Sequence, residues 1–256
     1  ASRSRSSSLT SRARWSCSPT AIPRRPGLSQ AAVGRGLTRF VGRDGELEVL
    51  RRALAQAAEG RGQVVAVVGE AGVGKSRLAY EFTRSHRTHG WLVLESGSVS
   101  YGKATSYLPV IDLLRAYFGI LARDDPRQVR EKVVGKLLTL DETLRPALPA
   151  LLALLDIQAD HPAWRALDPP QRRQRTLDAV KRLLLRESRV QPILVIFEDL
   201  HWIDAETQVL LDSLVDSLPS ARLLLLVNYR PEYQHGWGNK SGYTQVRLDR
   251  LPETSA

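Results

Sequence analysis

Three stretches of the sequence place chemistry-bearing residues at spacings that suit phosphate and a hard cation. The first is GEAGVGKS, Gly69 to Ser76, which follows the pattern G-x-x-x-x-G-K-[ST]. Glycines permit backbone conformations that turn successive N–H groups inward around an anion. A helix starting directly after them presents its positive dipole end to the same anion. Lys75 would then reach the outer phosphates of a nucleotide, and the Ser76 hydroxyl would bind Mg²⁺. Gly69, Glu70, Ala71, Gly72, Val73, Gly74, Lys75, Ser76 and Arg77 are therefore candidate nucleotide-binding residues. The second stretch is ILVIFED, which puts Glu198 and Asp199 at the tip of an apolar run. Nucleotide hydrolysis needs a carboxylate near the hydrated cation and a group that orients water, and adjacent acids at a strand tip supply both. The third is NYRPE, where Asn228 and Arg230 follow another apolar run and would face the same crevice, one of them as a γ-phosphate sensor.

These residues need a scaffold, and the hydrophobic pattern supplies one. Val64 to Val68 form a short continuous apolar run rich in β-branched residues, as a strand buried on both faces does. WLVLE (91–95), ILVIF (193–197) and LLLLV (223–227) read as further strands, and TQVRL (244–248) alternates as an edge strand would. Leu47, Leu50 and Leu54 predict a helix over 44–58, stopped by Gly60 and Gly62. Leu78, Ala79 and Phe82 mark a helix after the glycine-rich turn. Leu211, Leu214, Val215 and Leu218 mark another over 205–218, with Asp204 as its N-cap. Strands alternating with helices predict an α/β fold: three layers around a mainly parallel five-stranded sheet. Ligands bind such sheets at the carboxyl ends of the strands, which is where all three stretches fall.

The segment from about 98 to 190 is too long for one crossover and reads as a helical insert between strands 2 and 3. Leu108, Ile111, Leu114, Phe118 and Leu121 give one helical face. Leu148, Leu151, Leu152 and Leu155 give a second, and Leu177, Val180, Leu183 and Leu184 a third. The third carries Arg172, Arg173, Arg175, Lys181, Arg182, Arg186 and Arg189, a basic surface that reads as solvated, with contact to an acidic partner or domain as the alternative. Tyr101, Lys103 and Tyr107 lie near the end of the second strand, where they could line the site. His201 and Trp202 read as packing residues.

The chain has 256 residues and a net charge of +10, unevenly placed. Residues 1–39 hold eight Arg and no acid, whereas residues 40–256 hold 29 basic and 27 acidic groups. The bulk composition therefore does not support a basic nucleic-acid-binding domain. Residues 1–36 are rich in Ser, Arg, Pro and Gly without periodicity, and read as a disordered leader outside a domain at 37–256. The single cysteine, Cys17, fits a reducing, cytoplasmic compartment. No apolar run approaches the roughly 18 residues that cross a bilayer. The absence of Met, even at position 1, suggests a piece of a longer protein.

Taken in order, FVGRDGELEVL, GEAGVGKS, LVIFEDLHWID and LLLLVNYRPEY resemble the signal-transduction ATPases with numerous domains, the STAND group. The likeness is to their AAA-type module, related to origin-recognition ATPases and found in large bacterial proteins beside class III adenylate/guanylate cyclase domains and helical repeats. It spans residues 38–252. It implies a P-loop NTPase fold, ATP and Mg²⁺ as cofactors, and Val41, Gly42 and Arg43 near the adenine or ribose. It implies Asn228 or Arg230 as the sensor. The chain then reads as an ATP-dependent switch, and the order Glu198-Asp199, with the shorter acid second, predicts slow hydrolysis. The likeness also implies a lid, output and helical-repeat domains as partners within a larger protein. The acidic pair reads Glu-Asp where many P-loop ATPases read Asp-Glu, and the sequence ends where a lid would begin. Three other readings remain: a small-molecule kinase with its acceptor site in the insert, a binding-only nucleotide module, and a nucleic-acid-associated ATPase. Guanine specificity is unsupported, because Asn239-Lys240 is followed by Ser241-Gly242 rather than x-Asp. The Leu-Ser-Gly-Gly signature of transporter ATPases is absent.

Overall fold

The computed structural model describes residues 40–85, 88–98, 105–158 and 161–250. The leader lies outside them, as do Tyr101 and Lys103.

The first helix, α1 (Asp44–Ala58), buries Leu50, Ala53, Leu54 and Ala57, one stripe at helical spacing. Asp44 and Glu46 in its first turn complement the helix dipole. β1 (Gln63–Val68) is buried along its whole length, and α2 (Lys75–Arg84) follows the glycine-rich turn. β2 (Leu92–Gly97), β3 (Ile193–Glu198), β4 (Leu223–Tyr229) and β5 (Tyr243–Arg247) complete one sheet in the order β2-β3-β4-β1-β5. Every pairing is parallel. At the edge, β5 buries Val246 alone, which matches its alternating sequence.

The two faces of the sheet build two cores. Val65, Val67, Leu194, Ile196, Leu224 and Leu226 face α1 and α2, with Leu78 and Phe82 packed among them. Val64, Ala66, Val195, Phe197, Leu225 and Val227 face the other helices. That is the three-layer α/β/α arrangement, and register brings the tips of β1, β3 and β4 together: Val68 lies beside Tyr229, and Phe197 beside Val227.

The insert holds α3 (Leu108–Phe118), α4 (Pro126–Leu140), a 3₁₀ segment (Glu142–Ala147), α5 (Leu148–Leu154), the short α6 (Pro162–Arg165) and α7 (Pro169–Val190). Sequence periodicity identified the faces of α3, α5 and α7 but placed Leu121 on the first. Gly119, at φ 65°, ends α3 before that residue. Helix α4 has no counterpart in the sequence reading. It buries only Val129, Val133 and Leu137, so its apolar stripe is narrow. Its start is nonetheless marked. Asp125 caps the Gln128 N–H while the Gln128 side chain accepts from the Asp125 N–H, with Pro126 between them. The same device opens α7, through Asp168 and Gln171.

Between β3 and β4 lies α8 (Ala205–Val215), capped by Asp204, which accepts from the Glu206 and Thr207 N–H groups at 3.0 Å each. The helix is shorter than the 205–218 expected, because the chain tightens into a 3₁₀ turn at Leu218–Ser220. The parallel connection from β4 to β5 contains no helix. An aromatic cluster covers the sheet in its place: buried Trp237 donates its indole N–H to Asp212 of α8 at 2.7 Å, and His235 stacks on it at 4.4 Å.

Helices α3 and α7 are pinned by a buried polar pair. The Tyr117 hydroxyl donates to Glu187 Oε2 at 2.5 Å, and Gln191 donates to Oε1 at 2.6 Å. Both Tyr117 and Glu187 are almost fully buried. Tyr117→Phe removes one partner of a buried carboxylate and is expected to destabilise the fold by roughly 1–3 kcal/mol in urea unfolding. A change below about 0.5 kcal/mol, the scale of an ordinary surface substitution, would show the pair to be energetically idle.

Candidate functional site

At the end of β1 the chain turns through Gly69–Gly74 into α2. Gly72 (φ 80°) and Gly74 (φ 99°) adopt left-handed backbone, the region open to glycine. Gly69 is required for another reason: a Cβ there would meet the Leu248 carbonyl oxygen at 2.6 Å and Val73 Cγ2 at 2.8 Å. The loop is held from both sides, by Gly69 N–H donating to the Tyr229 carbonyl at 3.3 Å and Leu248 N–H donating to the Val68 carbonyl at 2.7 Å.

Lys75 is buried at the first position of α2, and its Nζ donates to the carbonyls of Gly69 (2.7 Å) and Glu70 (2.8 Å). The ammonium thus rests on its own loop. Burial pushes its pKa down, and the Asp199 carboxylate partly offsets this. An ammonium carries three donors, so the group is a cation set in the mouth of a ring of backbone, at the start of a helix.

Opposite it stands the acidic pair. Glu198 ends β3 with 3 % of its surface exposed. Burial, then the neighbouring charges of Glu95 and Asp199, push its carboxyl up to about 7, while hydrogen bonds from Ser76 and Asn228 pull the other way. Asn228, at the end of β4, donates from Nδ2 to Glu198 Oε1 at 3.3 Å and accepts the Asp199 backbone N–H on Oδ1 at 2.9 Å. Asp199 itself sits at φ 57°, ψ 47°. Left-handed backbone outside glycine costs on the order of 1 kcal/mol or more and persists where the surroundings fix it. Here the Asn228 side chain does the fixing. Of the sequence candidates, the structure therefore brings together Lys75, Ser76, Glu198, Asp199 and Asn228. Arg230 is near enough for its charge to depress Lys75 and His201.

The Ser76 hydroxyl and the Glu198 carboxylate are hydrogen-bonded to each other, two hard oxygen donors in one place. That donor set fits Mg²⁺. The glycine-lined loop with Lys75 at its mouth fits the phosphates of a nucleotide.

Other candidates lie differently. The side chain of Arg43 is committed to protein groups. It donates to Glu46 at 2.8 Å, to the Val73 carbonyl of the loop at 3.4 Å, and to the Asp249 carbonyl beyond β5. It braces the loop against the end of the sheet, beside Gly42 at φ 72° and exposed Val41. Tyr107 donates to Glu206 of α8 at 2.8 Å, and Arg173 pairs with the same carboxylate at 2.6 Å. Much of the basic surface of α7 is paired within the fold: Arg186 with Asp141, Lys181 with Ser213, and Arg172 with the Arg165 carbonyl.

Sequence reasoning missed one residue at this end of the sheet. Glu95 bears on Glu198 from β2, where Gly97 pairs with Glu198. Its only sequence signal is its place at the carboxyl end of a strand. His201, read from the sequence as a packing residue, does pack on the Trp202 ring. Both of its ring nitrogens are shielded from water and lack a hydrogen-bond partner.

The chain is 27% identical over 221 residues to an uncharacterized protein of Rhizobium meliloti, an alignment covering 86% of this chain and 21% of that one. It thus spans about a fifth of the length of that curated relative. Among solved structures, it is similar to a Signal Transduction ATPase with Numerous Domains (STAND) protein with a tetratricopeptide repeat sensor from Pyrococcus horikoshii. There the TM-score is 0.40 and identity 16%, over 83% of this chain and 23% of that one. It is also similar to a chain in a structure of Drosophila ORC bound to DNA, with TM-score 0.36 and 13% identity, over 83% of this chain and 97% of that one. Among the described residues no helix is long and apolar enough to cross a membrane. With the glycine-rich loop, the acidic strand tip and the parallel sheet in place, the match of the AAA ATPase domain family to residues 39–227 is decisive, and the chain belongs to that family.

Proposed function

We propose that the chain is an ATP-binding, slowly ATP-hydrolysing module that acts as a regulatory switch within a larger signalling protein. The observation that carries this reading is the facing pair of Lys75, seated on its own loop carbonyls, and the Glu198–Asp199 tip held by Asn228. Glu70, Ala71, Gly72, Val73 and Gly74 offer backbone N–H groups to the phosphates, Gly69 opens the loop with its own N–H held by Tyr229, and Lys75 exchanges its two carbonyls for phosphate oxygens. Ser76 and Glu198 hold the cation, Glu198 through water, and Mg²⁺ when bound neutralises charge on the outer phosphates. Asp199 orients the attacking water. Asn228 fixes the backbone of Asp199 and the carboxylate of Glu198 together, while Arg230 is the cation left to meet the γ-phosphate. Arg77, Val41, Gly42 and Arg43 form the rim, with Arg43 bracing the loop rather than gripping the base.

Lid, output and helical-repeat domains of the larger protein are the partners this reading requires, with a cyclase or a transcription regulator as the output. ATP binding would order the crevice and hydrolysis would release it.

The test is Lys75→Ala by calorimetry with Mg·ATP. Loss of a charge-assisted contact worth roughly 1.5–3 kcal/mol should weaken binding by about ten- to a hundredfold. The fold should survive, because Lys75 bonds only to its own loop. Equal ATP affinity in both proteins would refute the assignment.

A further inference from the structure

His201 lies in the 3₁₀ turn Leu200–Trp202 that follows the acidic pair. The turn is fixed: Leu200 is fully buried, the Trp202 N–H donates to the Asp199 carbonyl at 2.9 Å, and the imidazole packs on the Trp202 ring at 5.1 Å. A packing role would be met by any ring of this size. It does not explain why the ring is one with two polar atoms, both shielded from water and neither partnered. Leaving such groups unmade is costly, and buried polar atoms without partners in a folded chain call for a reason.

The neighbours supply the reason. Four charges bear on the ring: Asp199, Arg230, Glu232 and Lys75. They come from the tip of β3, the segment after β4 and the start of α2, so His201 stands among the charged groups at the phosphate end of the crevice. Lys75 is the group that must move when phosphates arrive, since its ammonium occupies the carbonyls of Gly69 and Glu70. Its displacement would change the charge that bears on the ring. Burial also holds the imidazole below its ordinary pKa. The neutral ring carries one N–H donor and one acceptor nitrogen.

We propose that the His201 ring N–H donates to the terminal phosphoryl group of a bound nucleoside triphosphate, making His201 a residue that distinguishes tri- from diphosphate. The inference rests on the proposed nucleotide site and adds to it a specificity-determining residue. Position favours the γ- over the β-phosphate: Lys75 and the loop N–H groups already surround the inner phosphates, whereas His201 approaches from the side of Asp199 and Arg230.

The experiment compares the wild-type chain with His201→Phe and His201→Gln, titrating each with Mg²⁺ and either a non-hydrolysable ATP analogue or ADP in a calorimeter. Phe keeps the packing on Trp202 and removes both polar atoms. Gln restores one donor and one acceptor. The expected result is a loss of triphosphate affinity of on the order of tenfold or more in His201→Phe, ADP affinity within about twofold of wild type, and recovery of most of the loss in His201→Gln. Imidazole ¹⁵N NMR of the wild-type chain supplies a readout free of mutation. The His201 signals should shift with the triphosphate analogue and stay near their nucleotide-free positions with ADP. An unchanged ratio of triphosphate to diphosphate affinity in His201→Phe overturns the inference, as does an equal loss of both nucleotides. Should that variant fail to fold, identical His201 signals with ATP analogue and with ADP overturn it. A wild-type chain that binds neither nucleotide overturns the proposed function itself, and this inference with it.

Discussion

Asp199→Asn is expected to bind ATP within a fewfold of wild type and to hydrolyse it on the order of a hundredfold more slowly, the scale of losing a positioned water-orienting base. The backbone argument makes this a clean substitution. Asp199 occupies left-handed space, which asparagine tolerates at least as well as aspartate. Its structural hydrogen bond is made by the backbone N–H to Asn228 Oδ1, which the substitution leaves in place. What changes is the carboxylate charge that bears on Lys75 and His201. Asp199 is also one methylene shorter than the glutamate common at this position, so its reach to a water is reduced and the wild-type rate should itself be low. A slow rate suits a switch, whose ATP-bound state must last. Single-turnover hydrolysis alongside calorimetry measures both quantities. If Asp199→Asn hydrolyses ATP at the wild-type rate, the water is oriented by another group, and Glu198 becomes the candidate.

How far the sequence alone reaches depends on whether the signal is local. The glycine-rich loop was legible because its strand, turn and helix are contiguous and because Gly72 and Gly74 answer to the local backbone of the turn, although Gly69 also answers to the distant Leu248 carbonyl. The strands were legible because burial on both faces leaves a continuous apolar run, as in β3 and β4. Asn228 could be read as a polar strand tip, but its hold on both Glu198 and Asp199 is a product of β3–β4 register, which no sequence pattern states. Arg43 shows the same limit. Its buried guanidinium reaches the carbonyls of Val73 and Asp249, the second of them over two hundred positions away, a contact that no local pattern states. The aromatic connection around Trp237 has no period to read, because it covers the sheet without a helix. Helix α4 was readable and was missed: Asp125, Pro126 and Gln128 spell a capped start, and only its narrow apolar stripe conceals it.

Glu198→Gln is expected to stabilise the nucleotide-free, metal-free protein at alkaline pH by up to about 3 kcal/mol, though it removes a site carboxylate. The carboxyl of Glu198 is raised from an ordinary 4.5 to about 7, chiefly by burial and then by Glu95. A group whose folded pKa is raised holds its proton more tightly in the folded state. Its contribution is fully favourable below the unfolded value near 4.5 and is lost as pH rises through about 7. Each unit of difference corresponds to about 1.4 kcal/mol, and the separation of the two values sets the total. Glutamine does not ionise and escapes the loss. Its carbonyl can still accept from Ser76 and Asn228. Urea midpoints in EDTA should therefore be nearly equal for the two proteins at pH 4.5 and diverge by pH 8, with the variant the more stable. Parallel midpoints across that range would show that Glu198 is solvated well enough to ionise without cost. Adding Mg²⁺ at pH 8 should close the gap by stabilising wild type alone, because a divalent cation favours the ionised carboxylate and has little affinity for the amide. On this reading the instability of Glu198 without a cation is what makes the site bind one, and the same substitution that strengthens the empty fold should weaken its Mg²⁺ dependence.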